Sequence, residues 1–227
     1  MIQIYSIQTA QEAQQCVQAG ADNIGVAVAT GANLPAEVSV ETCAEIFAAI
    51  GARAKKVMIV VSQAAEPVLD ALRRLKPDIV HLCGNHFFAT PELVREMKAM
   101  QPGLEVLQAV AVDGQAAIAR AEHFAGFCDY LILDSADPRI AGIGAAGFTH
   151  DWSIDAEIVR RVNCKVILAG GLDAGNVAEA IRTVRPYGVD SFTKTSDVFP
   201  DGRSRKNPEK VRAFIEAARE AFAELGQ

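Results

Sequence analysis

The sequence lacks paired cysteines, long apolar runs and an excess of positive charge, and each absence excludes a class of function. Its five cysteines are scattered, with no CxxC pair. This spacing indicates reduced thiols and argues against zinc or redox chemistry. No apolar run approaches the roughly 18 residues of a membrane-spanning helix, and the first residues have the pattern of a strand instead of a signal peptide. We therefore expect a cytoplasmic protein without a membrane partner.

The charge balance argues against nucleic acid as a partner. The chain has 22 lysines and arginines against 28 aspartates and glutamates, which gives a formal net charge of −6. A protein that binds a phosphate backbone needs a positive footprint, and this composition does not supply one. We expect a globular protein that is a monomer or a homodimer and acts on a small molecule.

The chain alternates between predicted strands and helices eight times, without a composition break that would mark a linker. The strands are predicted at residues 2–7, 23–29, 56–61, 79–83, 105–112, 130–134, 166–169 and 189–193. The helices are predicted at residues 10–19, 40–50, 66–75, 91–100, 115–124, 154–162, 176–184 and 208–225. Eight short units with β-branched strands favour an α/β fold, a (β/α)8 TIM barrel of eight parallel strands forming a single domain over residues 1–227. An open doubly wound sheet is the alternative.

A glycine turn follows the seventh strand. Gly170 and Gly171 stand directly after a β-branched run, where they allow a sharp turn and a close approach of the backbone to a ligand. Asp173 is predicted to cap the next helix at its N-terminus. Four apolar residues at helical spacing behind it predict the buried face of that helix. They are Val177, Ala180, Ile181 and Val184.

A polar loop follows the eighth strand. It reads Thr193, Lys194, Thr195 and Ser196, three hydroxyls with one cation. In a (β/α)8 barrel, the loops after the last two strands and a helix N-terminus often bind phosphate through exposed backbone N–H groups. The order of strand, glycine turn, helix, strand and polar loop therefore predicts a phosphate site. Residues 201–206 are predicted to form a basic loop beside it, which either attracts an anionic substrate or is a flexible connection.

The loop after the sixth strand is longer than its neighbours. It covers residues 135–152 and contains three glycines together with Phe148, His150 and Trp152. Long loops at this place in such folds usually serve as lids or ligand covers. A surface insertion without a function is the alternative, but the aromatic residues and the histidine favour a segment that packs or binds.

Several segments together resemble one enzyme family. They are residues 19–22 (AGAD), 131–134 (LILD), 142–144 (GIG), 151–152 (DW), 166–172 (VILAGGL), 176–177 (NV), 184–190 (VRPYGVD) and 207–211 (NPEKV). On these segments the sequence resembles the phosphoribosylanthranilate isomerase family of tryptophan biosynthesis. The resemblance spans nearly the whole chain and is strongest after residue 128.

The resemblance implies an Amadori rearrangement, in which an aldose amine becomes a ketose amine, and it implies no cofactor. Such a reaction needs a general acid that opens the sugar ring and a general base that takes the C2 proton. The resemblance assigns the acid to Asp134, which ends the sixth predicted strand, on the face where barrels carry their chemistry. A carboxylate that only caps a helix or braces a loop is the alternative. The phosphate contacts that it implies are Gly144, Gly170, Gly171, Thr193, Lys194 and Thr195.

Two positions depart from the family. Tyr5 stands where the resemblance places the catalytic cysteine, and tyrosine, with a reference pKa of about 10, is a poor proton acceptor at neutral pH. The arginine expected to hold the anthranilate carboxylate has no counterpart in residues 30–37 (TGANLPAE). The lack of this arginine predicts a different or missing aromatic acid on the substrate. Tyr5 and Ser6 are still expected to line the pocket as hydrogen-bonding groups.

The fourth strand offers candidates for the missing base. His81 and Cys83 lie two residues apart on a strand, so they share a face that points into the barrel. A neighbouring cysteine and histidine can form a thiolate-like base, and with His150 or Asp134 they could instead bind a metal ion. Filling of the barrel core is the third possibility. Lys194 is a further candidate, as a base or as an imine former.

These residues support three hypotheses about function. The first is an aldose–ketose isomerase that acts on a phosphorylated sugar or sugar amine by acid/base proton transfer, with Asp134, His81 and Cys83 as its candidate catalytic residues. The second is a barrel that binds a phosphorylated metabolite without converting it. The third is a phosphosugar lyase or epimerase with a changed substrate.

Overall fold

The computed structural model describes residues 1–31, 36–84, 88–135, 143, 149–200 and 203–226. Its eight barrel strands are β1 (Ile2–Ile4), β2 (Asn23–Ala27), β3 (Lys55–Val60), β4 (Ile79–Leu82), β5 (Glu105–Ala111), β6 (Tyr130–Asp134), β7 (Lys165–Leu168) and β8 (Gly188–Ser191). They form a closed parallel barrel in chain order, since β1 pairs with both β2 and β8. The predicted barrel is confirmed, and closure excludes the open sheet.

Eight helices surround the barrel in the described part of the chain. They are α1 (Ala10–Ala19), α2 (Val40–Ile50), α3 (Ala65–Leu75), α4 (Pro91–Met100), α5 (Ala116–Ala125), α6 (Trp152–Arg161), α7 (Val177–Val184) and α8 (Pro208–Glu224). Local sequence fixes several of their starts. In α1, Thr9 and Glu12 form a reciprocal capping box, which satisfies two backbone donors that a helix end leaves free. None of the described helices is long and apolar enough to cross a membrane.

The first strand is shorter than the sequence pattern predicts. It ends at Ile4 instead of residue 7, because Ser6 adopts a left-handed backbone conformation with φ of 59°. A β ladder cannot continue regularly through such a residue. The hydrogen bonds from Tyr5 N to Ser191 O and from Ile7 N to Gly25 O still tie this segment to both neighbouring strands.

The predicted helix cap at Asp173 is wrong. Helix α7 begins at Val177, and Asn176 occupies its N-cap position without a side-chain capping bond. Asp173 instead forms a tight turn before the helix, in which its carboxylate accepts the N–H of Gly175 at 2.8 Å. Aspartate readily makes such a turn with its own backbone, and that turn competes with capping. The four predicted apolar residues of α7 are all buried.

The predicted basic loop at residues 201–206 is partly a strand. Two short strands, β9 (Ser196–Val198) and β10 (Ser204–Lys206), pair antiparallel beyond the end of β8. Lys206 is only 8% exposed, so its charge is not part of a solvated loop. The sequence did not indicate the burial of Lys206, because lysine is usually exposed and the sequence does not distinguish a buried lysine from an exposed one.

Two layers of apolar side chains make up the core. The larger layer lies between the strands and the helices and includes Phe214 of α8, which is fully buried. The smaller layer fills the barrel interior, where Ile79 and Cys83 of the fourth unit belong to the same cluster as Tyr5. Polar side chains interrupt the interior layer, since Gln3 and His81 are also buried there. Such groups need a reason, because burying a polar side chain costs free energy.

Replacing Phe214 with alanine should lower the free energy of unfolding by about 3–5 kcal/mol, because it removes a fully buried aromatic side chain and leaves a cavity. Urea denaturation followed by circular dichroism measures the loss. Phe199→Ala is the matched control, since Phe199 is 45% exposed and should lose less than about 1 kcal/mol. Equal losses in the two variants would contradict the assignment of Phe214 to the core.

Candidate active site

A pocket lies at the carboxyl end of the barrel, where β6, β7 and β8 end. It is lined by Asp134, Gly170, Gly171, Leu172, Asp190, Ser191, Phe192, Thr193 and Lys194. Parallel strands all end on the same face of a barrel, so these residues from three units of the chain meet there. Five of the predicted site residues are therefore brought together, one from β6 and four from the loops after β7 and β8.

The glycine turn after β7 has no room for a side chain. Gly170 and Gly171 both have left-handed backbone conformations, with φ of 88° and 63°. A Cβ atom on Gly170 would lie 2.9 Å from Oγ of Ser135 and 3.0 Å from Nδ1 of His150. Both the backbone conformation and the close packing thus require glycine at position 170.

The backbone N–H groups of this pocket have the character of an anion site. Across the described ranges, no acceptor binds the backbone N–H of Gly170, Gly171, Thr193 or Lys194. Thr193 opens a single turn of 3-10 helix, which ends at Thr195. Backbone N–H groups that border a pocket and have no acceptor of their own favour a bound oxyanion such as phosphate.

Asp134 contributes one of the two carboxyl groups that line this pocket. It ends β6, and its Oδ1 accepts the backbone N–H of Ser135 at 2.7 Å. Burial raises the pKa of Asp134 to about 7, although the hydrogen bond from Ser135 opposes that rise. Near neutral pH the carboxyl group therefore populates both its acid and its carboxylate form, which suits proton transfer.

His150 packs against the glycine turn after β7 and is itself held in place by Asp155. Nε2 of His150 lies 2.8 Å from a carboxylate oxygen of Asp155, which is fully buried in the first turn of α6. Nδ1 of the same ring lies 3.1 Å from Oγ of Ser135. These contacts hold the ring against Gly170. The pattern of the sequence indicated that His150 packs or binds, but nothing in it indicated Asp155 as a partner.

His81 and Cys83 lie inside the barrel and do not pair with each other. Nδ1 of His81 is 2.8 Å from the hydroxyl of Tyr5, whereas Sγ of Cys83 donates to the carbonyl of Ile143 at 2.9 Å. Burial lowers the pKa of His81 to about 3 and raises that of Cys83 to about 12. Both groups are therefore neutral near pH 7, and the structure supplies no thiolate at Cys83.

The other predicted site residues are placed as follows. Ser6 is buried at the end of β1. The hydroxyl of Thr195 donates to the carbonyl of Phe192 at 3.0 Å, so it turns away from the pocket. Gly144, most of the proposed lid and residues 32–35 of the second loop lie outside the described residues.

The metal hypothesis finds no ligand set in the described ranges. There, no three histidine, cysteine, aspartate or glutamate side chains come close enough to share an ion. His81, Cys83, Asp134 and His150 all belong to these ranges, and each has the different partners given above. The donor atoms that a zinc site would need are thus turned toward other groups.

Asp190 is a second acid in the pocket that sequence reasoning did not identify. It is 4% exposed and lies in β8. Burial raises the pKa of Asp190 well above its usual range, and the nearby Asp134 raises it further. The signal in the sequence was an acid inside a short buried strand, where a carboxylate needs a partner or a function.

Comparison with known proteins now identifies the family. The sequence model of the N-(5'-phosphoribosyl)anthranilate (PRA) isomerase family matches residues 2–217. The chain belongs to the phosphoribosylanthranilate isomerase family. It is an aldose–ketose isomerase of this type.

Individual members of the phosphoribosylanthranilate isomerase family resemble the chain along almost its whole length. The N-(5'-phosphoribosyl)anthranilate isomerase of Methanocella arvoryzae is 33% identical over 218 residues, which cover 96% of this chain and 97% of that protein. The crystal structure of the Thermotoga maritima enzyme has a TM-score of 0.79 at 27% identity, covering 96% of this chain and 98% of that one.

A further solved structure of this family carries a bound ligand. The crystal structure of a phosphoribosylanthranilate isomerase in complex with reduced 1-(o-carboxyphenylamino)-1-deoxyribulose 5-phosphate is similar at a TM-score of 0.77 and 25% identity. It covers 96% of this chain and 98% of that one. The family resemblance expected from the sequence segments is thereby confirmed.

The variant Gly170→Ala should be destabilised by about 2–4 kcal/mol, because it adds backbone strain and a contact with Ser135 and His150. Gly103→Ala is the matched control. Gly103 has nearly the same φ, 89°, but an added Cβ would meet nothing within 4 Å. The control should lose only about 1–2 kcal/mol of strain. Urea denaturation measures both, and a loss no greater at position 170 would contradict the packing described.

The stability of the protein should depend on pH through Asp134. Its pKa is about 7 in the folded state and 3.8 in the reference state. The folded state therefore binds more protons between these values, and stability falls as pH rises from about 4 to 7. Asp134→Asn should remove the part of this fall that comes from Asp134, leaving the part that comes from Asp190, and should gain about 1–3 kcal/mol over the wild type at pH 8. Parallel urea titrations from pH 5 to pH 8 test this, and curves with the same pH dependence would show that the pKa is not raised.

Proposed function

We propose that the chain isomerises a phosphorylated sugar amine by an Amadori-type rearrangement, with phosphoribosylanthranilate as the first compound to test. The observation that carries the proposal is one pocket with two properties. It combines a carboxyl group whose pKa is about 7, that of Asp134, with backbone N–H groups of Gly170, Gly171, Thr193 and Lys194 that have no described acceptor. The first can move protons, and the second can hold a phosphate group.

The ligand of the solved relative supports this substrate class. That enzyme was crystallised with a reduced form of a carboxyphenylamino-deoxyribulose 5-phosphate, a phosphorylated sugar amine. In the present chain, the phosphate end of such a molecule fits the N–H groups after β7 and β8. Its sugar carbons would then lie toward Asp134 on the neighbouring strand β6. Lys194 lines the same pocket and supplies a positive charge near the phosphate.

Asp134 is proposed to perform both proton transfers in turn. As an acid it gives its proton to the ring oxygen while the bond between C1 and that oxygen breaks and an iminium ion forms. As a carboxylate it then removes the C2 proton, which leaves an enolamine that tautomerises to the ketose amine. A pKa of about 7 suits both steps. This assignment removes the need for a thiolate, which Cys83 does not supply.

His81 and Cys83 are proposed to bound the pocket from the barrel interior. Burial keeps both groups neutral, and the nearby charge of Asp134 further raises the pKa of the Cys83 thiol and of the Tyr5 hydroxyl. By excluding water from the inner side of the pocket, they favour the protonated, neutral form of Asp134. They are proposed as contacts of the substrate, and the proton transfers do not depend on them.

The test is turnover of phosphoribosylanthranilate and of a panel of phosphosugars. Asp134→Asn should lower kcat by roughly 10²–10⁴-fold, because the amide cannot exchange protons. In the wild type, kcat/KM should fall as pH rises through about 7, since the first step needs the protonated acid. Cys83→Ser should change kcat by less than about tenfold, because burial already holds that thiol neutral.

Asp70→Asn is the matched control, because Asp70 is an exposed helix carboxylate far from the pocket in the fold. It should leave turnover unchanged. If Asp134→Asn is as active as this control, Asp134 is not the acid. If the wild type converts none of the compounds but is stabilised by them in thermal-shift assays, the barrel binds a phosphorylated metabolite without turnover.

A further inference from the structure

Lys206 is a buried lysine whose ammonium group has three partners, all from one segment. It lies in β10 and is 8% exposed. Its Nζ donates to the carbonyl of Phe192 at 2.9 Å, to Oγ1 of Thr195 at 3.1 Å and to Oγ of Ser196 at 3.1 Å. An ammonium group has three N–H donors, so these bonds satisfy it completely. The segment 192–196 that it binds also borders the anion pocket.

The bond from Lys206 is one of four that hold the peptide unit between Phe192 and Thr193, because the N–H and hydroxyl of Thr195 and the hydroxyl of Ser196 also donate to the carbonyl of Phe192. The C=O of Phe192 and the N–H of Thr193 belong to one peptide unit, and the chain contains no cis peptide bonds in its described part. In a trans unit these two groups point in opposite directions. Since the carbonyl points at Lys206, the N–H of Thr193 points away from it, and Thr193 lines the pocket.

The backbone of Lys206 is held from the other side by α1. Its N–H donates to one carboxylate oxygen of Glu12 at 2.9 Å. The second carboxylate oxygen accepts the N–H groups of Gln8 and Thr9. Glu12 therefore ties the start of the first helix to β10 and fixes the backbone position from which the side chain of Lys206 reaches segment 192–196.

We infer that Lys206 is a positioning residue for the anion site: its buried ammonium group holds segment 192–196 so that the N–H of Thr193 faces the pocket, and its charge attracts the bound anion. The inference rests on the proposed function, because it concerns the same pocket. A cation away from water acts on a neighbouring anion with little screening. Lys206 would thus contribute to binding without touching the ligand.

The charge of Lys206 should respond to pH within an accessible range. Burial lowers its pKa to about 8, while Cys16, Asp190 and Glu12 oppose that change. Burial raises the pKa of Cys16 to about 12, so its thiol stays neutral at the pH values compared. Among the described residues, other charged groups in or beside segment 192–206 include Asp134, Lys194, Asp197, Arg203, Arg205 and Lys210.

The experiment measures the dissociation constant of inorganic sulfate by calorimetry at pH 7 and pH 9.5. Sulfate is divalent at both values, so any change comes from the protein. Lys206→Met keeps the length of the side chain and removes the charge. It should weaken sulfate binding about tenfold at pH 7 and abolish most of the further weakening at pH 9.5. The wild type should lose about tenfold between the two pH values.

Two further variants separate charge from packing. Lys206→Arg keeps a positive charge at both pH values, so it should bind sulfate at pH 9.5 better than the wild type does. Lys210→Met is the matched control. Lys210 donates to the backbone carbonyl of Ser196 at 3.2 Å, but its side chain is 48% exposed and paired with Asp197. It should bind sulfate like the wild type, and circular dichroism verifies that each variant is folded.

The outcomes distinguish this inference from the proposed function. If the wild type binds no sulfate at either pH, the pocket is not an anion site, and both the proposed function and this inference are contradicted. If the wild type and Lys206→Met bind sulfate equally, the inference is overturned while the anion pocket stands. If all Lys206 variants are equally weak and the wild type shows no pH dependence, Lys206 only packs, which also overturns the inference.

Discussion

The close packing of Gly170 against Ser135 and His150 is the constraint on which the candidate site depends. It fixes the turn after β7 in a left-handed conformation and at contact distance from the end of β6. Because Asp134 precedes Ser135 directly, this packing also sets how far the acid lies from the turn. A side chain at position 170 would separate the two groups that the proposed reaction needs together, the carboxyl group and the N–H groups of the pocket.

Burial determines the chemistry of the site more than any single charge pair does. It raises the pKa of Asp134 and Asp190 and keeps the thiol of Cys83 and the ring of His81 neutral. The interior of a barrel closed by eight strands is shielded from water. The fold itself therefore supplies the low-dielectric environment that shifts these pKa values. The site therefore favours protonated, uncharged groups on its inner side, whereas the proposed anion contacts are the backbone N–H groups at its rim.

The chain keeps its family's fold while differing at the end of β1. Tyr5 fills the place of the expected cysteine, and its ring also lies against Gly25, where an added Cβ would be 2.1 Å away. Its hydroxyl is committed to His81. This end of the site is therefore filled by an aromatic ring and an imidazole that contact each other, whereas the backbone N–H groups of the proposed phosphate end have no acceptor among the described residues. The pocket after β7 and β8 is lined by other residues, so this departure leaves it unchanged.

The sequence by itself determined the eight strand and helix units, the buried faces such as that of α7, and the family, because hydrophobic periodicity and short motifs are local properties of the chain. It also pointed to Asp134, Gly170 and Gly171, since residues at the ends of parallel strands must meet on one face. Only the tertiary structure decided the partners. It paired His150 with Asp155, separated Cys83 from His81, and buried Lys206 and Asp190. Those contacts join residues far apart in the chain, and no local pattern encodes which of them will share the same environment.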